Sequence, residues 1–505
     1  MVDGRTIKNV DFMNFKAYAA AFYQYMGNYH SFGAMKFKPN VDEGKFRMIL
    51  MRHPLFTAKT KKGQLYRKVV NDVYPQVKEQ MFNTKMPYKQ LGYPDDGGTT
   101  AYLSYNMKKE DLKLVRDFMK SQNMSLLNTR AFKSAENHYI ITVGSIDDKL
   151  TRKGIKYNGN VFDLKYGEFG GYLKEVNMYL KKAMNFTAND HQRRMLQLYQ
   201  QHFMWGDIED HKQSQREWVK DKQPAVESNL GWVEKYVDPE NQRAMWSGWV
   251  AVVDKEKSKV YTQLVNKSHA ILDHLPWNKT LEKTRFMAPD FSSLDVLTFA
   301  GDRLPSGINI PNYYDIREND GFKNVVFQSK DDAMKPKLTV FPYTLTHVKS
   351  KTESDFINQY QQQAYQVQVA GHELFGHGSG KMIYRDEKTG KCPVSAVAPI
   401  EPNKTLNNCY EKGETYSSRF GDIGTSFEEC RADLSGLWLE EFPEMYETFN
   451  WTAKDNDILR WSSMLGEARK GILGLESSFN EDKHRWNQAH TQGAYVITKF
   501  IMGNQ

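Results

Sequence analysis

The most chemically informative stretch of this chain is residues 372–377, which read His-Glu-Leu-Phe-Gly-His. Imidazoles and carboxylates are donors that Zn²⁺ prefers, and a glutamate beside them can act as a base toward a zinc-activated water. In the common H-E-x-x-H pattern the histidines are four residues apart and share one helix face. Here they are five residues apart, so a regular α-helix would separate them by roughly 140°. Both reach one metal only if the helix contains a π-bulge, and Gly376 lies where such a distortion costs least.

A third metal ligand is available further along the chain. The apolar spacing between Phe427 and Leu437 predicts a helix that carries Glu428, Glu429 and Asp433. Glu429 and Asp433 are four residues apart and share a face. One of them can bind a metal while the other accepts the free N–H of a ligating histidine. Taken without the first motif, these acids are typical of a solvated helix face.

The two motifs together resemble the dipeptidyl peptidase III family, whose members carry H-E-x-x-G-H and E-E-C-R-A-E/D. The resemblance extends over nearly the whole chain and includes stretches 26–29, 294–301, 307–313 and 487–490. It implies a zinc metallo-exopeptidase, a hydrolase that releases dipeptides from the free N-terminus of short peptides.

The resemblance also implies a role for individual residues. His372, His377 and Glu429 would bind one Zn²⁺ per chain. Asp433 would accept a hydrogen bond from one of the metal-binding histidines and so orient it. Glu373 would be the general base and then the acid, and His490 would assist the transition state. The implied substrate-binding residues are Glu234, Tyr236, Asn309, Asn312 and Arg317. Taken singly, each has an ordinary structural interpretation: an exposed ion pair, turn chemistry beside a proline, or a half-buried histidine.

The expected fold class is α+β, with two lobes and a cleft between them. Strand-like runs at 138–143 and 249–253 mix with helical patterns up to about residue 254, and helical patterns dominate from about residue 340. The resemblance implies a mixed lower lobe with a small β-barrel, formed by 1–254 and 293–339. A mostly helical upper lobe that carries the zinc would comprise 255–292 and 340–505. Closure of such a cleft would exclude water from the site.

Composition narrows the possible partners. The chain has 505 residues, of which 40% are hydrophobic and 26% are charged, as in ordinary globular proteins. Its net charge of +8 is dispersed, which disfavours nucleic-acid binding, and no apolar run is long enough to span a membrane. Three cysteines predict no disulfide framework and favour a reducing, cytoplasmic location. We expect a monomer that acts on short peptides.

Two further hypotheses compete with the peptidase. Compared with the family it resembles, the chain is expected to lack N-terminal and C-terminal portions, which would leave the upper lobe incomplete. It could then be a catalytically impaired relative that binds peptides or proteins. A general zinc endopeptidase is disfavoured, because an amine-holding glutamate and paired asparagines imply an exopeptidase. The His/His/Glu donors also accept Co²⁺ or Mn²⁺.

Overall fold

The computed structural model describes residues 6–30, 35–301, 304–327, 350–392, 397–398, 401–405, 409–412, 414, 416–481 and 484–503. Within them, helices and strands mix over the first two thirds of the chain and helices dominate the last third. The strands are β1 Thr129–Ala135, β2 His138–Gly144, β3 Arg152–Tyr157, β4 Asn160–Glu168, β5 Val226–Glu234, β6 Met245–Val253, β7 Asp290–Ala300, β8 Gly307–Ile310, β9 Lys323–Phe327, β10 Val397–Ala398, β11 Glu401–Thr405, β12 Phe479–Asn480 and β13 Arg485–Trp486.

The helices fall into an N-terminal and central set and a C-terminal set. The first set comprises Asn9–Gln24, Glu43–Arg52, Pro54–Thr57, Lys61–Lys68, Tyr74–Phe82, Lys109–Ser121, Gly170–Ala183, Asp190–Trp205, Ile208–Lys220, Lys255–Asn266, Ser268–Leu272 and Tyr314–Asn319. The second set comprises Lys351–Gly371, Tyr416–Phe420, Gly424–Leu439, Pro443–Tyr446, Ala453–Ser477 and Ala489–Gly503. We call Lys351–Gly371 the motif helix and Gly424–Leu439 the acidic helix. Ser350 caps the N-terminus of the motif helix, where its hydroxyl accepts the Glu353 N–H at 3.1 Å.

A five-stranded sheet in the order β5-β6-β7-β9-β8 connects the two halves of the molecule. All its pairs are antiparallel except β7 with β9, which run parallel with Asp290 opposite Lys323. Every residue of β9 is buried, as expected for a strand covered on both faces. The pairing among the described residues is that of an open sheet whose edge strands are β5 and β8.

Strand β9, which lies between β7 and the edge strand β8, contributes to both large hydrophobic cores. Val325 packs into a core formed with the helices Asp190–Trp205 and Ile208–Lys220. Its neighbour Val326 packs into the core of the motif helix, beside Phe375. Because successive strand residues point to opposite faces, one rigid strand fixes the position of the motif helix relative to the mixed half. A second sheet, in the order β1-β2-β4-β3, lies outside this junction.

Several sequence-based expectations can be compared with this fold. The predicted strands at 138–143 and 249–253 are confirmed as β2 and β6, and the predicted acidic helix is also confirmed. The division into two lobes stays a prediction, and its boundary at 339–340 lies outside the described residues. Among the described residues, no helix is long and apolar enough to cross a membrane.

The cysteine count predicted no disulfide framework, and it did not predict the one disulfide found among the described residues. Cys392 and Cys409 are joined by a disulfide and their Cα atoms are 5.8 Å apart, while Cys430 has a free thiol. Composition could not reveal this pair, because the count of cysteines does not say which of them meet in the fold.

Candidate active site

The helix that carries the H-E-x-x-G-H motif is distorted at the motif itself. Residues His372–Gly376 form a π-turn, in which the His377 N–H donates to the His372 carbonyl at 3.0 Å. This bond spans five residues, so the two imidazoles come to the same side, with ring centroids 4.7 Å apart. The predicted π-bulge is confirmed.

Close packing against the acidic helix explains why Gly376 is a glycine. A Cβ on Gly376 would lie 2.6 Å from the Ala432 Cα, and one on Gly371 would lie 3.0 Å from the Gly436 Cα. Backbone therefore meets backbone at both places, with no room for a side chain. The sequence suggested that Gly376 eases the bulge, and the structure adds that it permits this contact, which brings Glu429 to the histidines.

The three predicted ligands converge on one point. The Glu429 Oε2 lies 3.3 Å from the His372 Nε2 and 3.6 Å from the His377 Nε2. Two ligands about 2.1 Å from one tetrahedral zinc ion would be roughly 3.4 Å apart. The Oε2 atom is buried and accepts no well-aligned hydrogen bond from the described residues, although the Nε2 atoms of both histidines lie beside it. The arrangement of these donors therefore fits a metal ion, and the three ligand atoms all lie within 4.8 Å of one another.

Each imidazole is oriented by a carboxylate on its far nitrogen. The Nδ1 of His372 lies 2.8 Å from the Asp433 Oδ1, and the Nδ1 of His377 lies 3.0 Å from the Glu428 Oε1. A proton on each Nδ1 leaves each Nε2 as a free donor atom for a metal. The sequence places Glu428 on the acidic helix, and its position beside Glu429 was a usable signal for this role, which was not predicted. Lys470, whose Nζ donates to Asp433 at 2.8 Å, lies 37 residues further along the chain and was not predicted to be part of the site.

Carboxylates dominate the electrostatics of this centre. Burial alone would lower the pKa of His372, but Asp433 and Glu429 outweigh burial and raise that pKa well above its usual range. Burial would raise the pKa of Glu429, but His490 and His377 hold it well below its usual range. A cluster of buried acids that is stable only beside positive charge suits a divalent cation.

The predicted general base, Glu373, is buried and only 6% exposed. Burial raises its pKa, with partial opposition from His372 and His377. Its Oε2 has no hydrogen-bond partner among the described residues. Strand β8 holds it on the other side, because the Asn309 Nδ2 donates to the Glu373 carbonyl at 2.7 Å. A buried, unpaired carboxylate beside the metal ligands is equipped to take a proton.

The remaining predicted residues lie around the same centre. The Asn312 Nδ2 donates to the Glu234 Oε2 at 3.3 Å, and the Tyr236 hydroxyl donates to the Glu429 Oε1 at 3.3 Å. The His490 Nε2 lies 3.1 Å from the Glu429 Oε2. The Arg317 Nη2 donates to the His377 carbonyl at 2.6 Å.

The predicted substrate-binding residues differ in how many of their polar atoms are already bonded within the protein. The Asn309 amide nitrogen makes two hydrogen bonds within the protein: it donates to the Glu373 carbonyl and, at 2.6 Å, to the Asn324 Oδ1. The Asn309 Oδ1 is buried without a partner among the described residues. Glu234, Asn309, Asn312, His372, Glu373 and Glu429 all line one cavity of about 250 Å³. The structure thus brings the predicted residues to one cavity, while their roles stay predictions.

The chain matches a known protein family over most of its length. The model described as "Peptidase family M49" matches residues 73–505. The chain belongs to peptidase family M49. M49 peptidases are metallopeptidases, in agreement with the His372, His377 and Glu429 cluster.

Curated relatives and solved structures agree with membership in M49. The chain is 37% identical to "Dipeptidyl peptidase 3" of Mus musculus over 97% of this chain and 67% of the mouse protein. It is 35% identical to "Dipeptidyl peptidase 3" of Dictyostelium discoideum over 98% of this chain and 70% of that protein. The structure of DPP III from Caldithrix abyssi matches 99% of this chain and 90% of its own, with a TM-score of 0.53 at 15% identity. Dipeptidyl-peptidase III from Corallococcus sp. strain EGB gives a TM-score of 0.55 at 14% identity, covering 100% of this chain and 86% of its own. These two structures show a shared fold.

The close contact at Gly376 leads to a first prediction. In Gly376→Ala the new methyl group would meet the backbone of Ala432, so the two helices must separate and Glu429 must withdraw from the histidines. We expect zinc affinity to fall by about 10–100-fold, the usual effect of disturbing the residues that orient ligands. Competition with a fluorescent chelator measures this.

A matched control for that experiment is Gly466→Ala. Gly466 lies within the helix Ala453–Ser477 and a Cβ there meets nothing within 4 Å. We expect unchanged zinc affinity and slightly higher stability, because alanine favours helix. Equal zinc affinity in Gly376→Ala and the wild type would show that the helix contact does not hold the ligands in place.

Proposed function

We propose that this chain is a zinc-dependent dipeptidyl aminopeptidase that releases dipeptides from the free N-terminus of short peptides. The observation that carries the proposal is that one cavity is lined by two groups of residues, one suited to a metal ion and the other to a peptide amine. One is the His372, His377 and Glu429 donor set, and the other is the Glu234 and Asn312 pair. The names of the relatives support the same activity.

One Zn²⁺ would be held by His372, His377 and Glu429. A bound zinc ion supplies Lewis acidity, which polarises a peptide carbonyl and lowers the pKa of water. Asp433 and Glu428 keep the two imidazoles oriented with the Nε2 atoms inward. Lys470 balances the charge of Asp433 and so holds that carboxylate in place.

Glu373 would carry the proton in this reaction. Its Oε2 faces no hydrogen-bond donor among the described residues, and its raised pKa makes it a stronger base than an exposed carboxylate. It would take a proton from the attacking water and deliver it to the nitrogen of the leaving peptide. The His490 imidazole and the Tyr236 hydroxyl lie beside Glu429, where they can donate to an oxygen that gains negative charge.

Glu234 and Asn312 would determine which peptide bond is cleaved. A carboxylate with an adjacent amide can hold the terminal ammonium of a peptide, and two extended residues span roughly 7 Å from it. Fixing the amine at one point therefore selects the bond after the second residue. The buried Oδ1 of Asn309 offers a further acceptor for a backbone N–H.

We also propose that the cavity is the cleft between the two predicted lobes. Glu234, Asn309 and Asn312 belong to the predicted lower lobe, and His372, Glu373 and Glu429 belong to the predicted upper one. The likeness to two dipeptidyl peptidase III structures supports this division.

The second prediction tests exopeptidase action. A pentapeptide with a free amine should yield its first two residues as a dipeptide, whereas the N-acetylated peptide should stay intact, because acetylation removes the charge that Glu234 binds. Mass spectrometry of the products measures both. Equal cleavage of the two peptides would contradict the proposal and favour an endopeptidase, and tight binding without cleavage would favour a peptide-binding relative.

The third prediction concerns pH. Burial raises the pKa of Glu234 to about 7, and repulsion from Glu429 and Glu373 adds to this, while the Asn312 hydrogen bond opposes it. A carboxyl with a raised pKa is neutral below that pKa and charged above it, and only the charged form attracts an ammonium. KM should therefore rise as pH falls through this pKa, at or below about 7, because a bound cation reduces the repulsion.

Substitution of Glu234 tests whether this residue causes the expected pH dependence of KM. Glu234→Gln should raise KM roughly 10–100-fold, the usual cost of losing a hydrogen bond to a charged group, and should remove the acidic limb from the KM profile. Steady-state kinetics between pH 5 and 9 measures both effects. Glu256→Gln, at an exposed position in the helix Lys255–Asn266, is the control and should change neither. An unchanged KM in Glu234→Gln would remove this residue from amine recognition.

A further inference from the structure

Gln488 lies behind His490, at the ring nitrogen opposite the one nearest the metal position. The Gln488 Nε2 is 2.8 Å from the His490 Nδ1. The other ring nitrogen of His490, Nε2, is 3.1 Å from the Glu429 Oε2, the oxygen that also lies beside the Nε2 atoms of the two predicted metal-binding histidines. One imidazole therefore connects a glutamine amide to the metal position.

Gln488 and His490 line different cavities. His490 lines the candidate active-site cavity, together with Glu373 and Glu429. Gln488 lines a neighbouring cavity of about 510 Å³ and is only 5% exposed. Gln488 is therefore placed to act on the site through His490.

The N-terminus of a helix fixes the orientation of the Gln488 amide. Gln488 immediately precedes the helix Ala489–Gly503, and its Oε1 accepts the Thr491 N–H at 2.6 Å. N–H groups in the first turn of a helix have no partner within the helix, so an acceptor side chain commonly binds one of them. Turning the amide over would set its NH₂ group against this N–H, with two donors facing each other. The amide oxygen therefore points to Thr491 and the amide nitrogen points to His490.

This orientation determines which nitrogen of His490 carries the proton. The amide nitrogen of glutamine only donates, so the His490 Nδ1 must accept. A proton on Nδ1 would instead face an N–H donor at 2.8 Å. The hydrogen bond at one ring nitrogen sets the tautomer of a histidine. The proton of this imidazole therefore lies on Nε2, the nitrogen nearest Glu429.

The two predicted metal-binding histidines have the opposite arrangement. The Nδ1 atoms of His372 and His377 face carboxylate oxygens of Asp433 and Glu428. An ionised carboxylate only accepts, so these two imidazoles carry the proton on Nδ1 and present a bare Nε2. A bare Nε2 can bind a metal, whereas an Nε2–H can only donate. The group behind each ring thus separates two metal ligands from one N–H donor, His490.

We propose that Gln488 is a positioning residue that holds His490 as an Nε2–H donor beside the metal site. In the proposed reaction this N–H would stabilise the carbonyl oxygen of the peptide as it gains negative charge. The inference rests on the proposed function for that consequence alone, because the tautomer follows from hydrogen bonds within the protein. Gln488 itself contacts neither the peptide nor the metal in this account.

Side-chain ¹⁵N NMR of the histidines in the zinc-loaded full chain tests the tautomer without any need for turnover. The His490 signals are those that disappear in His490→Phe. In the wild type we expect a proton on Nε2 and none on Nδ1. Gln488→Glu keeps an acceptor for the Thr491 N–H but presents a carboxylate to His490, so a proton should appear on Nδ1. A protonated Nδ1 in the wild type, or an Nδ1 that stays unprotonated in Gln488→Glu, would overturn the inference.

Steady-state kinetics tests the consequence for the reaction. Gln488→Met removes the donor and keeps the length of the side chain. We expect kcat to fall by about 10–100-fold with little change in KM, the pattern of an interaction made only in the transition state. In a His490→Phe background the same substitution should cost little more, because Gln488 acts through His490. A rise in KM alone, or an equal loss in the His490→Phe background, would contradict the positioning role.

Gln492 provides a matched control on the same helix. It lies four residues after Gln488, and its Oε1 accepts the Ser426 hydroxyl at 2.6 Å. Gln492→Glu and Gln492→Met repeat the two substitutions there and should change neither the His490 tautomer nor kcat. Melting temperatures show whether the loss of the Thr491 hydrogen bond in Gln488→Met affects the fold, and Gln488→Glu keeps that bond. The expected tautomer in a wild type without hydrolysis would refute the proposed function and support the assignment of Gln488.

Discussion

The contact between the π-turn and the acidic helix is the constraint on which the rest of the site depends. Gly376 and Gly371 meet Ala432 and Gly436 with no side chain between the two backbones. This approach brings Glu429 to the imidazoles of His372 and His377. A side chain at Gly376 would force the two backbones apart and so disturb the position of the third ligand, and metal–ligand distances vary by only about 0.2 Å.

Charge balance follows from that geometry. The same contact places Asp433 and Glu428 behind the two histidines, and Lys470 and Arg431 beside those acids. Each imidazole is therefore held in one orientation by a carboxylate that is itself held by a cation. On the opposite side, strand β9 links both hydrophobic cores, and its neighbour β8 reaches the Glu373 carbonyl through Asn309. The ligands and the predicted peptide-binding residues thus belong to one continuous set of contacts.

The sequence was most informative where chemistry depends on local spacing. The separation of five positions from His372 to His377 required a π-bulge, and the hydrogen bond from the His377 N–H to the His372 carbonyl shows one. Spacing also predicted that Glu429 and Asp433 share a helix face, one toward the metal position and one behind a histidine. The resemblance to a known family named the residues of the amine site, which no local pattern would have selected.

Contacts between residues that are distant in the sequence could not be predicted from it. Nothing near Lys470 in the sequence indicates that it contacts Asp433. The Cys392–Cys409 disulfide was missed for the same reason, since a cysteine count contains no distances. The role of Gly376 was only partly predicted, because the residue that crowds it, Ala432, belongs to another helix.

The most direct test of the account is the zinc content of the purified chain, measured together with hydrolysis of a dipeptidyl chromogenic amide, for the wild type and Glu373→Gln. Glu373 contributes no metal ligand, so the account predicts one zinc per chain in both proteins. It predicts hydrolysis by the wild type and a loss of at least about 100-fold in the variant, the usual contribution of a general base. A wild type that binds no zinc, or a Glu373→Gln variant as active as the wild type, would contradict it.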